Sequence, residues 1–219
     1  MSHDRSLTNA ATRVVDEMVV MLGEMEIHEI RVGEVARRAG VAIPTVYYNF
    51  RSLTDIIAEA TVVLLHQFLV PFAQSLQGME RAIAEDDVVA FRTAARAFME
   101  HSWSSDANQG AHRLAPLISY FRQVAPADVR LRTVQAHEVA GLTGAVGAAQ
   151  VKGWIDDRDD AAAFVIVHWT CVLGQAVFFH PAFGPLTDID FCDGPGRLRY
   201  QTSLQSDIRQ MSVRSPAID

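Results

Sequence analysis

A chain of 219 residues, 49% hydrophobic and 21% charged, is long enough for one or two domains with a substantial core and too apolar to be disordered. Its net charge of −7 argues against indiscriminate binding to polyanions, although a local patch can still bind DNA. Cys171 and Cys192 are its only cysteines, which is neither a disulfide framework nor a metal set and fits a reducing cytosol.

The N-terminus is polar and carries no signal-peptide pattern, so a cytoplasmic protein is expected. Leu7, Ala11, Val14, Val15, Met18, Leu22 and Met25 recur at spacings of three and four. That periodicity predicts a helix of about five turns starting near Ser6. Ile27 and Ile30 are expected to complete a small core beneath it. Next come Val35, Ala36 and Ala39 on one face of a short helix, then Gly40, where a helix end needs the left-handed backbone that glycine adopts cheaply. Pro44 sits in the first turn of a following helix, where its missing N–H breaks no bond. In that helix Val46 and Phe50 face inward, while Thr45, Tyr47, Tyr48 and Asn49 carry hydrogen-bonding groups. Two helices joined by a glycine turn form a helix-turn-helix unit, whose second helix enters the major groove of DNA. Between Arg31 and Arg51 there are four arginines and one acidic residue, so this stretch is locally positive.

Ser52 reads as an N-cap, with Asp55 completing a variant capping box. Leu53, Ile56, Ile57, Ala60, Val63, Leu64 and Phe68 then predict a helix over 53–70, bent or ended near Pro71. Further helices are expected from Val88 to about Trp103, around Leu114–Phe121 across Pro116, and from Pro126 to Trp154, with Ser104–Gly110 as a polar loop. Gly141, Gly144 and Gly147 thin the third of these, which suggests a close helix approach. After the acidic run Asp156–Asp160, residues Ala161–Phe179 are apolar almost all round. His168, Thr170 and Gln175 inside the run and the absence of a basic flank argue against a membrane span. A helix apolar on every side must be covered on every side, by its own core and by a second subunit. A Gly/Pro-rich loop over 181–196 and a last helix through Tyr200, Leu204, Ile208 and Met211 complete an all-α chain of about nine helices.

The string Val35-Ala36, Ala39-Gly40-Val41, Thr45-Val46-Tyr47, Phe50 and Ser52-Leu53-Thr54-Asp55 resembles the N-terminal domain of the TetR family of bacterial transcriptional repressors. The likeness covers roughly residues 10–60; beyond them only helix number and length agree. It implies a three-helix DNA-binding domain over 1–52 and a helical ligand-binding and dimerisation domain over 53–219, joined by the helix from Leu53. It also implies a homodimer paired through the two C-terminal helices, a palindromic double-stranded operator and an unknown small-molecule effector. By the same resemblance, Thr45 and Tyr47 match positions that contact phosphates or bases. Tyr48 and Asn49 match the positions behind them, Ile43 matches a base-facing one, and Pro44 and Arg51 flank the set. Several positions depart from the family pattern. Leu53 replaces a phosphate-binding Lys, Gly33 a polar contact, Arg31 a Thr cap and Ala42 a Ser cap. Arg31, Arg37, Arg38 and Arg51 are the cations available to replace those contacts.

Candidate ligand-contacting residues are Phe98, His101, Trp103, Tyr120, Phe121, His137, His168 and Trp169, since pockets combine apolar walls with a few placed polar groups. No metal site or cofactor is expected, because the histidines do not fall at the spacing of helical ligands. Without a phosphate loop, a nucleophile–base spacing or paired carboxylates, an enzyme is not expected either. Two functions remain: a ligand-responsive repressor, or a DNA-addressed interaction protein on the same scaffold without an effector.

Overall fold

The computed structural model describes residues 8–102, 104–124, 129–155 and 160–178. Among them are eight α-helices and no strand: α1 (Asn9–Glu24), α2 (Val32–Ala39), α3 (Ile43–Asn49), α4 (Leu53–Ala84), α5 (Val88–Ser102), α6 (Ser105–Val124), α7 (Val129–Val151) and α8 (Ala161–Phe178). The described residues are all-α, as expected. The expected last helix through Tyr200, the loop before it and the Ser6 end of α1 lie outside the described residues.

The chain divides into two compact units, one within Met1–Gln67 and Pro116–Val134, the other within Phe68–Ala115 and Gln135–Asp219. The unit holding α1 to α3 therefore also contains the first part of α4, the end of α6 and the start of α7.

In that unit Ala11, Val14, Val15, Met18 and Met21 of α1 are buried together with Val35, Ala36, Val46 and Phe50. Thr8 caps α1, its hydroxyl accepting from the Ala11 N–H at 3.2 Å. Ile30 is fully buried, at the end of a 3-10 turn over Ile27–Glu29.

Two elements differ from the sequence expectation. The helix from Leu53 does not stop at Pro71 but continues for 32 residues to Ala84. Proline removes one backbone bond, and burial of Phe68, Leu69, Phe72, Met79 and Ala82 on either side outweighs that loss. Residues 105–110, expected as loop, form the first turns of α6. Ser104 caps them, its hydroxyl accepting from the Ala107 N–H at 3.1 Å, and Ala107 and Ala111 supply a buried stripe that polar neighbours conceal in the sequence. Gly110 is required there: a Cβ would lie 2.6 Å from Cδ2 of Phe68. Gly141 has the close approach expected of it, with its would-be Cβ 2.9 Å from Leu76, whereas Gly144 faces open space.

Candidate nucleic-acid interface

The turn between α2 and α3 is built as the sequence implies. Gly40 ends α2 in the left-handed region, at φ 63° and ψ 39°. Its N–H donates to Arg37 O at 3.3 Å and the Val41 N–H donates to Ala36 O at 2.9 Å, the doubled closure of a Schellman end. Pro44 lies in the first turn of α3, and Ala42, at the N-cap, supplies no side-chain bond. A serine there would contribute about 1 kcal/mol.

With Val46 and Phe50 buried, α3 presents an outer face made of Ile43, Pro44, Tyr47 and Tyr48. These stand at i, i+1, i+4 and i+5, which is one side of a helix. Ile43 is 47% exposed, Tyr47 56% and Tyr48 85%, while Thr45 is half-buried. Two aliphatic groups and two phenol rings on a two-turn helix are an unusual amount of apolar surface to leave in water.

Asn49 is occupied within the unit. Its Nδ2 donates to the Thr45 carbonyl at 2.8 Å, and its Oδ1 accepts from the Thr8 hydroxyl at 3.0 Å. The side chain thus ties the end of α3 to the cap of α1. Arg51 is exposed, and its guanidinium has no side-chain partner among the described residues. Its backbone N–H donates to Asp55 Oδ2 at 3.3 Å, while the Asp55 N–H donates to the Ser52 hydroxyl at 3.2 Å, so the capping box closes one residue earlier than the standard pattern.

The other arginines are engaged. Arg37 pairs with Glu34 along α2, and that hydrogen bond holds the Glu34 carboxyl below the usual carboxylate range. Arg38 lies 2.8 Å from Glu24 and 2.6 Å from Glu17, and hydrogen bonding to Glu24 raises its guanidinium pKa further. Arg31 donates to the carbonyls of His28 and Ile30, at 2.6 and 3.0 Å. Arg13 reaches Gly40 O at 3.5 Å. Leu53, at the start of α4, is half-buried.

The start of α4 is held from two further directions in the same unit. Arg130 of α7 donates to Asp55 Oδ1 at 2.9 Å and to Glu59 Oε1 at 2.7 Å. The hydroxyls of Thr54 and Tyr120 lie 3.0 Å apart. Neither tie was visible in the sequence, because the partners are 75, 71 and 66 residues apart.

The candidate ligand residues do not gather into one set. Phe98, His101, His168 and Trp169 converge in the second unit around Phe72, which sequence reading passed over. Phe72 lies 4.7 Å from the His101 ring, 5.0 Å from Trp169 and 5.1 Å from Phe98, and Phe68 lies 5.4 Å from Phe72. The signal for both phenylalanines was their place four apart on the apolar stripe of the helix from Leu53. Tyr120 and Phe121 belong to the other unit and pack edge to face at 5.3 Å. His137 is exposed on α7, and Trp103 lies outside the described residues.

Within the cluster the Ser102 hydroxyl donates to the Phe98 carbonyl at 2.8 Å, so its oxygen is left to accept from His168 Nε2, 3.1 Å away. This network assigns the His168 proton to Nε2. Burial depresses the His168 pKa to about 4 and keeps the ring neutral at pH 7. Burial also lowers that of His101. A groove of about 670 Å³ between α4 and α5, lined by Arg81, Glu85, Asp87, Thr93 and small residues, contains none of the candidate ligand residues.

No family model matches the sequence, and no curated protein does. Solved structures match over nearly the whole chain. The ketosteroid transcriptional regulator KstR2 of Mycobacterium tuberculosis aligns at TM-score 0.55 and 13% identity, covering 95% of this chain and 98% of its own. The TetR family transcriptional regulator PfmR of Thermus thermophilus aligns at TM-score 0.57 and 16% identity, covering 93% of this chain and 100% of its own. This chain has the TetR fold. A transcriptional regulator from Pseudomonas aeruginosa is also similar, at TM-score 0.50 and 15% identity, covering 92% of this chain and 93% of its own. At these identities the shared property is the TetR architecture.

Proposed function

We propose that this protein is a cytoplasmic DNA-binding transcriptional regulator, a homodimeric repressor that releases a palindromic operator when a small molecule binds. The observation that carries the reading is the outer face of α3. Four side chains that would be costly to leave exposed stand in a row at the second helix of a helix-turn-helix, and a duplex groove is the surface that would cover them. The tyrosine and threonine hydroxyls would donate to phosphate oxygens and fix the register, with Arg51 adding charge. One such unit reads only a few base pairs, so two are needed, their half-sites centred about 34–36 Å apart or a multiple of that.

Dimerisation is supported by α8, where Ile166 and Val167 are more than half exposed on a helix that is apolar almost all round. Residues 1–52 would act as the reading head and 53–219 as the regulatory part. An effector that binds more tightly to a conformation with misplaced heads would shift the population off DNA. The continuous α4, which runs through both compact units, would be the connecting element.

A second reading, a DNA-addressed interaction protein without an effector, is favoured by the ring-to-ring packing of Phe72, Phe98, His101 and Trp169. A thermal-shift screen with a metabolite panel separates the two. Selection of bound duplexes from a random pool tests the common part. The double variant Thr45→Ala/Tyr47→Phe should then lose at least tenfold in operator affinity while melting as the wild type does. Unchanged retardation of the operator by that folded variant would remove both residues from the interface.

A further inference from the structure

We infer that α3 selects its DNA through the C5-methyl groups of thymine, with Ile43 as the principal reading residue and guanine edges left unread. The inference rests on the DNA-binding reading above and specifies what that surface recognises.

The argument is one of donors. In the major groove guanine offers two acceptors, N7 and O6, and the side chains that recognise it are Arg or Lys reaching both at once. Adenine is recognised by the paired donor and acceptor of a free Asn or Gln amide. The sequence of α3, Ile43-Pro44-Thr45-Val46-Tyr47-Tyr48-Asn49, holds no cation and a single amide. That amide is occupied at both ends, by the Thr45 carbonyl and the Thr8 hydroxyl. The neighbouring cations on α2 are turned to carboxylates, Arg37 to Glu34 and Arg38 to Glu17 and Glu24. Arg51, without a side-chain partner among the described residues, lies two residues beyond the end of α3, where the reading above gives it to the phosphate backbone. Gly33 of α2, which lies beside Ile43, contributes no side chain at all; even a Cβ there would stand 4.0 Å from Ile43 Cδ1. What α3 does present is Ile43 and Pro44 at its start and two phenol rings one turn on. Each phenol has one O–H, so it can mark a phosphate or a single acceptor but cannot form the paired contact that identifies a purine. Among the features of base edges, the thymine methyl is the one that aliphatic surface recognises favourably.

The test uses the full-length chain and a duplex enriched from a random pool. Each thymine is replaced in turn by deoxyuridine, which removes the methyl and keeps the pairing, and each guanine by 7-deazaguanine, which removes N7. Deoxyuridine should weaken binding about fourfold at one or more positions per half-site, the effect of one buried methyl. 7-Deazaguanine should change it less than twofold. Ile43→Ala, a change at an exposed position, should abolish the deoxyuridine effect at one thymine and leave the effect of the others.

Enriched duplexes that tolerate every deoxyuridine and respond to 7-deazaguanine would overturn the inference while leaving DNA binding intact. Deoxyuridine effects that persist unaltered in Ile43→Ala would remove Ile43 from its role. Failure to enrich any sequence would overturn the DNA reading, and this inference with it.

Discussion

The two compact units are held together by different means. Around the helix-turn-helix a small core of aliphatic side chains and Phe50 is supplemented by separate polar ties: the glycine end of α2, Asn49 bridging to Thr8, Arg38 between two carboxylates of α1, and Arg130 and Tyr120 on the first turns of α4. In the second unit Phe68, Phe72, Phe98, His101, His168 and Trp169 lie ring against ring, with one buried Ser–His hydrogen bond among them. Each polar fixing near the surface is weak, and losing one leaves the others in place. A ring at the centre of a packed cluster has no such redundancy. The contrast teaches where this chain tolerates change: a reading surface can be re-lettered on a scaffold of small ties, whereas the aromatic cluster responds as a whole.

The largest effect should come from the cluster's middle. Phe72 is 1% exposed and touches four other rings, so Phe72→Ala should cost about 3–5 kcal/mol in urea unfolding. A loss below 1 kcal/mol would mean that the rings repack freely and that the cluster resembles an adaptable pocket.

Acid should reach the same cluster through His168. Its folded pKa, about 4, lies below the unfolded value of 6.5, so the unfolded chain binds the proton more readily. The sign follows: this contribution is whole above pH 6.5 and declines as pH falls towards 4, by about 3 kcal/mol. Other groups also titrate in that window, so the quantity to measure is the difference between wild type and His168→Gln across pH 7.5 to 4. The variant should show the shallower decline; parallel curves would place the imidazole in contact with water.

On the other side of the comparison, Gly40→Ala puts a Cβ on a residue at φ 63° and should cost about 1–2 kcal/mol. The nearest atom to that Cβ is the Arg13 guanidinium at 3.7 Å, an ordinary contact, so the penalty is one of backbone alone. Gly40→Asn, which tolerates the left-handed region better, should recover part of it.

What could be read from the sequence follows the same division. Gly40, Pro44, the inward Val46 and Phe50, and the capping role of Ser52 depend on residues within five positions of one another, and local rules describe them. The order of residues around them is also specific enough to suggest the TetR architecture by itself. Helix existence was legible too, but helix extent was not: burial on both sides carried α4 through Pro71, and the alanine stripe of α6 lay beneath polar neighbours. Long-range ties were invisible because nothing near Asp55 points to Arg130. The aromatic candidates were half legible. Their residue types were right for a cluster, but spacing along the chain could not show that Tyr120 and Phe121 sit in one unit while Phe98 and Trp169 sit in the other with Phe72 between them.

The smallest expected effect is the most informative about regulation. Arg130 is 32% exposed on its side chain and its two carboxylate partners 28% each, so solvent screens the pairs and Arg130→Met should cost no more than about 1 kcal/mol of stability. Its consequence for position can be larger than for energy. Asp55 receives Arg130 on one oxygen and the Arg51 N–H on the other, so one carboxylate joins α7 to the short segment between α3 and α4. If the orientation of α3 depends on that join, Arg130→Met should weaken operator binding at low salt by more than its stability change accounts for. Added salt should then narrow the gap between variant and wild type, because it loosens in the wild type what the substitution has already removed. Equal affinity at low salt would show that backbone continuity from α3 into α4 sets the orientation without help from α7.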